Sequence, residues 1–525
     1  MRRQVLVATA TLVAAGCGTT VSGVPQGAAP AGVDGLSAGN TAAQSGTASS
    51  TTSTGPATGN VGSAPASSAA GSAPLLSSGS STSGATTGVP TGGSNASADL
   101  NGPGVTDKAI YVGVDYTVNG DAANAALGAS SITSGNEKAD AQAVIDDINA
   151  HGGVAGRKLV PVFHATDAQS TDTTADQDQA ECADFTQDHH VFAALGVGYT
   201  DNYFACLFKS GAIDIDSGVL VDPDDGEFRQ YPYYFEAGTI SQDRIDNALV
   251  PALQRQHYFN GWDTVNGAPG TAPTKVGVLG VDTPTWNRPL DHVLLPALKA
   301  AGYPVAASDV VRIYNPGSQA DDGKTLSDIS SAVLKFRQDG VTHVILLDTG
   351  GQLVTFFGQD ANSQHYYPRF GVHSGSGLQA IYDSGIVPKQ VLNGAMGFAW
   401  NPTLDLSASA ADKFETPATK YCLKVMKDRT GQTFTSTNAA SIALSYCDML
   451  YLLRDGLNNA GGVVNRDTVR AAIERLRGSF QPALFPQLYY APGRHDGVQV
   501  GWDIAWDSSC TCAKFTSAGY QIADR

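Results

Sequence analysis

The chain has 525 residues, 32 Lys and Arg against 49 Asp and Glu, a formal net charge of −17 and seven cysteines. Nucleic-acid binding needs a clustered basic footprint, which a chain this acidic does not offer. The length is enough for more than one core, and no internal stretch stays apolar for the roughly 20 residues of a membrane-crossing helix.

The first element is a leader. Arg2 and Arg3 precede the short apolar run Val5 to Val13, and the small residues Ala14, Ala15 and Gly16 lead directly to Cys17. A charged start, a short apolar core and a small-residue cleavage site make residues 1–16 an export signal. Small residues directly before a cysteine resemble the bacterial lipoprotein signal. That resemblance implies cleavage before Cys17 and a diacylglycerol on its sulfur, hence attachment to the membrane by lipid.

Residues 17–105 form the next segment. From Gly18 to about Val105 the chain is mostly Gly, Ser, Thr, Ala and Pro, with no aromatic residue, Lys or Arg, and Asp34 and Asp99 are its only charges. Such a segment cannot bury enough apolar surface to offset its ordering entropy, so it reads as a disordered tether. Its typical reach is roughly 50 Å.

From about residue 106 strand and helix patterns alternate. Ala109 to Asp115 reads as a buried strand, and Glu137 to His151 as a helix with Ala141, Val144, Ile145 and Ile148 on one face. Gly152 and Gly153 stop that helix. Lys158 to His164 is a strand, Thr174 to Gln187 a helix and Val191 to Leu195 a third strand. The pattern resumes after a Tyr-rich stretch: strands at Thr274 to Val281, Val310 to Tyr314, Thr342 to Leu347 and Arg369 to Val372, with helices at Pro289 to Ala301, Leu326 to Gln338 and Gln352 to Ala361. This alternation predicts an α/β architecture of parallel sheets covered by helices. Two such runs predict two Rossmann-like lobes joined by a hinge, and ligands of open α/β sheets bind outside the carboxyl ends of the strands.

Without Cys17, six cysteines remain, an even number that favours disulfides in an oxidising compartment; six allow 15 pairings. Proximity favours Cys182–Cys206 and Cys422–Cys447. Cys510 and Cys512 are either a close pair or partners of other cysteines. A metal site at Cys510-Thr-Cys512 lacks a second cysteine pair or a neighbouring His, so no metal is expected.

The segment Ala141 to Leu159 carries a resemblance. Its Ile148-Asn149, Gly152-Gly153-Val154 and Gly156 match a helix end, turn and strand start common in the branched-chain amino acid-binding family of ABC-transporter receptors. Lys275 to Asp282, Gly340 to Leu347 and the helix Asn438 to Leu457 are supporting matches, and the resemblance spans about 106 to 505. It implies the type 1 periplasmic-binding-protein fold, with three interlobe crossings near 238, 399 and 488. One lobe is then 106–238 plus about 399–487, and the other 239–398 plus about 488–525.

On this reading the ligand contacts lie in loops after the strands. Tyr116 follows the first strand. Tyr199 and Thr200 lie in the Gly-flanked loop that the family turns toward a ligand carboxylate, although a plain strand–helix turn is the alternative. Trp286 stands where the family places a covering aromatic, with the cap of its own lobe's core as the alternative. Asp348 follows a further strand. Ser374 occupies the place where amino-acid-binding members carry an acid for the ligand's ammonium. That departure means branched-chain specificity does not transfer, since a buried ammonium needs a charged partner. His373 reads as a structural histidine, His189 and His190 as a solvated helix end, and Asp222 to Gly226 as a solvated acidic turn without calcium-loop spacing.

The resemblance implies an extracytoplasmic solute-binding lipoprotein, a monomer that captures an amino acid-like, amide or other small organic solute and delivers it to an ABC permease. A ligand-sensing protein on the same fold that signals to a protein partner is the alternative. No cofactor is expected, and no G-x-S-x-G or H-E-x-x-H motif points to a hydrolase.

Overall fold

The computed structural model describes residues 18–19, 100–126, 132–133, 135–196, 198, 200–217, 223–315, 317, 321–347 and 350–524. The expected signal, Cys17 and nearly all of the expected tether lie outside these residues. No described helix is long and apolar enough to cross a membrane.

The first sheet is parallel throughout. Its strands are β1 (Ala109–Val118), β2 (Lys158–Asp167), β3 (Ala193–Leu195), β4 (Ile213–Asp216) and β5 (Tyr234–Glu236), in the order β2-β1-β3-β4-β5. Helix α1 (Glu137–Ala150) links β1 to β2. The Asn136 side chain caps it by accepting from the Ala139 N–H. Ala141, Val144, Ile145 and Ile148 lie on its buried face, as their spacing predicts. Each buried Val or Ile contributes roughly 1.5–3 kcal/mol. The helix ends in Gly152 and Gly153, both at positive φ; a Cβ on Gly153 would lie 2.0 Å from the Arg157 carbonyl oxygen. Only glycine fits there.

Helix α2 (Thr174–Ala183) continues into a π-type turn over Asp184–Asp188, so the expected single helix to Gln187 changes its winding at residue 184. Cys182 of α2 is joined to Cys206 of α3 (Asp201–Lys209). Helix α4 (Asp225–Gln230) precedes β5.

The chain then leaves this sheet. Helix α5 (Gln242–Arg255) packs on a second sheet. The strands of that sheet are β6 (Val276–Val281), β7 (Val310–Ile313), β8 (His343–Leu346), β9 (Arg369–His373) and β10 (Met396–Ala399), all parallel. Helices α6 (Pro284–Pro289), α7 (Asp322–Gln338) and α8 (Gln352–Ser363) connect them. After β10 the chain returns to the first sheet as α9 (Pro417–Thr430) and α10 (Ser441–Asn458), which pack on α1 and are joined by Cys422–Cys447. Helix α11 (Arg466–Leu476) packs on α10.

The last segment departs from the all-parallel expectation. Strands β11 (Val500–Asp507), β12 (Cys512–Phe515) and β13 (Tyr520–Gln521) close the second sheet with antiparallel pairs. The chain enters β11 from the first-sheet side, so it runs against β10, and a tight turn folds β12 back on β11.

Two of the connections between the sheets lie side by side. The Glu236 N–H donates to the His495 carbonyl at 2.9 Å, and the Gly497 N–H donates back to the Glu236 carbonyl at 2.9 Å. Arg244 donates to Asp496 at 2.7 Å and to the Val498 carbonyl at 3.1 Å, with both charged groups buried. A buried pair with this many partners fixes the geometry of the crossing, and removing one partner would strand the other charge.

Candidate functional site

Because the first sheet is parallel, β1 and β3 deliver their carboxyl ends to the same edge. Tyr116, at the end of β1, is half-buried. Its ring meets Phe163 edge-on at 6.1 Å, and the Lys138 ammonium lies 4.9 Å from both ring centroids. After β3 the backbone turns through Gly196 at φ +129°. A Cβ there would lie 2.8 Å from Asp115 Cβ, and one on Gly198 would lie 1.8 Å from the Tyr203 ring. The close approach of backbone to side chain is what this glycine-flanked loop requires. Thr200 caps α3, its hydroxyl accepting from the Tyr203 N–H at 3.4 Å. Tyr199 lies outside the described residues.

Buried carboxyls lie behind this edge. Asp115 accepts from the Thr166 hydroxyl at 2.7 Å, yet burial pushes its carboxyl up to about 6. Glu137 accepts from the Thr117 N–H at 2.7 Å, and burial pushes it up to about 8. Both groups brace the end of β1 from inside.

In the second sheet, Thr283 and Pro284 open α6 after β6, proline supplying the fixed φ that suits a first helical turn. Trp286 is 7% exposed, and its ring faces that of His373 at 6.3 Å. His373 lies in turn on Trp400, at 5.7 Å with the planes 13° apart, and Phe398 stands 5.7 Å beyond Trp400. Burial pushes the His373 imidazole down to about 3, so it is neutral at physiological pH; its Nδ1 accepts from the Gly375 N–H at 3.1 Å. Four flat side chains, from α6, β9, β10 and the residue just after β10, thus form one row.

Ser374 is 1% exposed. Its hydroxyl donates to Asp405 at 2.5 Å and accepts from the N–H groups of Trp400 at 2.7 Å and Asn401 at 3.2 Å. That network ties β9 to the connection leaving β10. Burial pushes the Asp405 carboxyl up to about 7. Asp348 lies outside the described residues.

The side chains that join the two halves are ones sequence reasoning did not single out for this. Arg288, two residues past Trp286, donates through its guanidinium to both Asp224 and Asp243. Asp224 caps α4 on the first-sheet side, and Asp243 opens α5. Asp224 is 4% exposed, so the turn around it is not the solvated one expected; the guanidinium compensates its burial. A charge so close behind a strand end was the available signal for Arg288. For Trp400 there was none, because nothing in the sequence stacks residue 400 on residue 373. A backbone bond also crosses between the halves, the Thr174 N–H donating to the Gly317 carbonyl at 2.9 Å.

The structure therefore gathers Trp286 and the His373–Ser374 corner on one side, sets Tyr116 among the last residues of β1, which runs on to Val118 rather than ending at Asp115, and Thr200 after β3 on the other, and links the sides through Arg288. Among the described residues no three His, Cys, Asp or Glu side chains gather into a metal-holding group.

Known structures share this fold. The possible leucine/isoleucine/valine-binding protein of Rhodopirellula baltica SH 1 superposes with a TM-score of 0.52 at 15% identity, over 79% of this chain and 96% of its own. A solute-binding protein of an ABC transporter from Rhodopseudomonas palustris HaA2, in complex with p-hydroxybenzoic acid, gives 0.52 at 13% identity, over 79% and 98%. The fatty acid ABC transporter substrate-binding protein of Thermomonospora curvata gives 0.51 at 15% identity, over 81% and 95%. No curated protein matches the sequence. The family model for periplasmic binding protein matches residues 109–499, all ten parallel strands and the helices α1 to α11 but not β11 to β13, and the chain accordingly belongs to the periplasmic binding protein family, with the type 1 fold.

Proposed function

We propose that this chain is an extracytoplasmic solute-binding lipoprotein, anchored through Cys17, which captures a small organic molecule between two lobes as a monomer, hands it to an ABC permease and performs no catalysis. The observation that carries this reading is the Arg288 bridge to Asp224, because it draws the second half onto the first through the same short helix that carries Trp286. Hinge closure around a ligand is the established motion of such two-lobed proteins, and the paired connections at 236 and 495–497 suit a hinge. The lobes take the boundaries 106–238 with 399–487, and 239–398 with 488–525.

Trp286 presents the flat surface, Tyr116 and Thr200 the opposing contacts, and Tyr199 and Asp348 complete the set. Ser374 contributes by holding the corner behind His373, since its hydroxyl is already engaged. The flat rings, and Ser374 in the place where amino-acid-binding members carry an acid, favour a neutral or acidic solute with an apolar or aromatic body over a free ammonium. Structural neighbours crystallised with p-hydroxybenzoic acid or named for fatty acids are compatible with such a choice.

A thermal-shift panel of aromatic acids, fatty acids, amides, amino acids, polyols and sugars tests the reading. A ligand at about 100 times its dissociation constant should add roughly 2.7 kcal/mol to stability. A rise confined to aromatic or aliphatic acids supports the proposal. A rise confined to amino acids overturns the preference against an ammonium. Flat curves across the panel favour a sensor engaged by a protein.

A further inference from the structure

The two disulfides between helices differ sharply from the third. Cys182, Cys422 and Cys447 are fully buried. Cys510 and Cys512 are joined across one residue, on the turn between β11 and β12, and Cys510 is exposed. Disulfide stabilisation grows with the length of the loop closed, so a bridge around a single residue contributes little to holding the fold. The residue inside the ring is Thr511, at φ +51°. A β-branched side chain in the left-handed region is a genuine outlier, and such outliers gather at functional positions.

Below the turn the hairpin is secured independently of the sulfurs. Asp507 accepts from the Ser509 N–H at 2.8 Å and hydroxyl at 2.6 Å, and from the Lys514 ammonium at 2.6 Å. The Ala513 N–H donates to Gln379 on the adjoining helix at 2.8 Å. Opening the bridge therefore frees the turn and leaves the strands paired.

We propose that Cys510–Cys512 is a thiol–disulfide exchange site whose substrate is a dithiol. A thiolate of the dithiol attacks one bridge sulfur, the Cys510–Cys512 bond breaks, and the other cysteine leaves as a thiolate that takes up a proton. The second thiolate of the dithiol then attacks the substrate's own sulfur in the mixed disulfide, closing the substrate's disulfide and expelling the protein's remaining cysteine as a thiolate that also takes up a proton. The substrate leaves oxidised, and the protein gains two electrons and two protons as a pair of thiols. Exposure admits the attacking thiolate, and release of Thr511 from its left-handed conformation favours the opened form.

The test equilibrates the full chain in oxidised and reduced dithiothreitol, quenches with acid, alkylates and maps the cysteines. The equilibrium constant for reduction of Cys510–Cys512 should exceed that of either interhelical bridge by at least about a thousandfold. Reduction in the same range as those bridges overturns the proposal. Thr511→Gly, which tolerates the left-handed turn, should lower the constant for this bridge alone by about tenfold. An unchanged constant overturns the part assigned to Thr511. The double variant Cys510→Ser/Cys512→Ser should keep the parent's melting temperature within a few degrees; a large loss would make the bridge structural and overturn the exchange role.

Discussion

Trp286 serves both packing and surface. Its indole is 7% exposed and leans on His373, so truncation to Ala would remove core contacts worth about 3 kcal/mol along with any ligand contact. Trp286→Leu separates the two, since it keeps apolar bulk and removes the flat ring. On the proposed function, titration calorimetry should find ligand affinity weakened on the order of tenfold, with a much smaller loss in denaturant midpoint. Unchanged affinity would place Trp286 outside the site. His373 and Ser374 illustrate how a residue beside a cleft can be fully committed to structure. The imidazole is held neutral between two indoles, and the hydroxyl has three partners.

Among the elements, α9 and α10 rest on their disulfide more than their positions suggest. Cys422–Cys447 closes a loop with a sequence separation of 25, for which the chain-entropy model gives roughly 3 kcal/mol. Replacing both cysteines by Ser should lower the urea unfolding free energy by about that amount, and no change would mean the helices are fixed by packing alone. Their pairing was legible from proximity, as were α1, α7 and α8 from their apolar spacing and β1, β6 and β8 from their apolar runs. What escaped were short or polar strands. β4 reads Ile-Asp-Ile-Asp and β5 Tyr-Phe-Glu, yet both are fully buried: Glu236 accepts from the Tyr234 hydroxyl and the Gly238 N–H, Asp216 accepts from the Ser217 N–H, and burial holds the Asp214 carboxyl well above the usual carboxylate range. No local pattern announces that environment. The antiparallel end of the second sheet escaped for a different reason: its direction is set by where the chain re-enters, which is a property of the whole path. Of the candidate site, the strand-end loops were legible, whereas the aromatic row and the Arg288 bridge join residues distant in sequence.

Across the molecule, buried carboxyls dominate the electrostatics. Burial pushes Asp140, Asp405 and Asp448 up to about 7, and Glu137 and Glu227 up to about 8. Unfolded, these groups ionise near pH 4. Between that value and their folded values the native state holds protons that the unfolded chain has released, so stability falls as pH rises. His343 and His373, pushed down to about 4 and 3 by burial, act in the opposite direction, but mainly below about pH 6.5, where unfolded imidazole charges. From about pH 6.5 to 8 the imidazole contribution fades as unfolded histidine loses its proton, and the carboxyls prevail. Urea midpoints should drop across that interval, each still-protonated carboxyl contributing up to roughly 1.4 kcal/mol per pH unit. An equal or higher midpoint at pH 8 would show that these acids are ionised in the fold.

The return of the chain to its first sheet also orders events in time. The buried face of α1 is covered by α9 and α10, which follow only after the whole parallel part of the second sheet has been traced. Until residues 417–458 arrive, α1 is covered only from the side of β1 and β2, so the amino-terminal half cannot complete its core as it emerges. Contacts of such sequence separation slow folding. A nascent chain whose core stays incomplete until nearly all of it has been synthesised is one that a secretion channel can still thread.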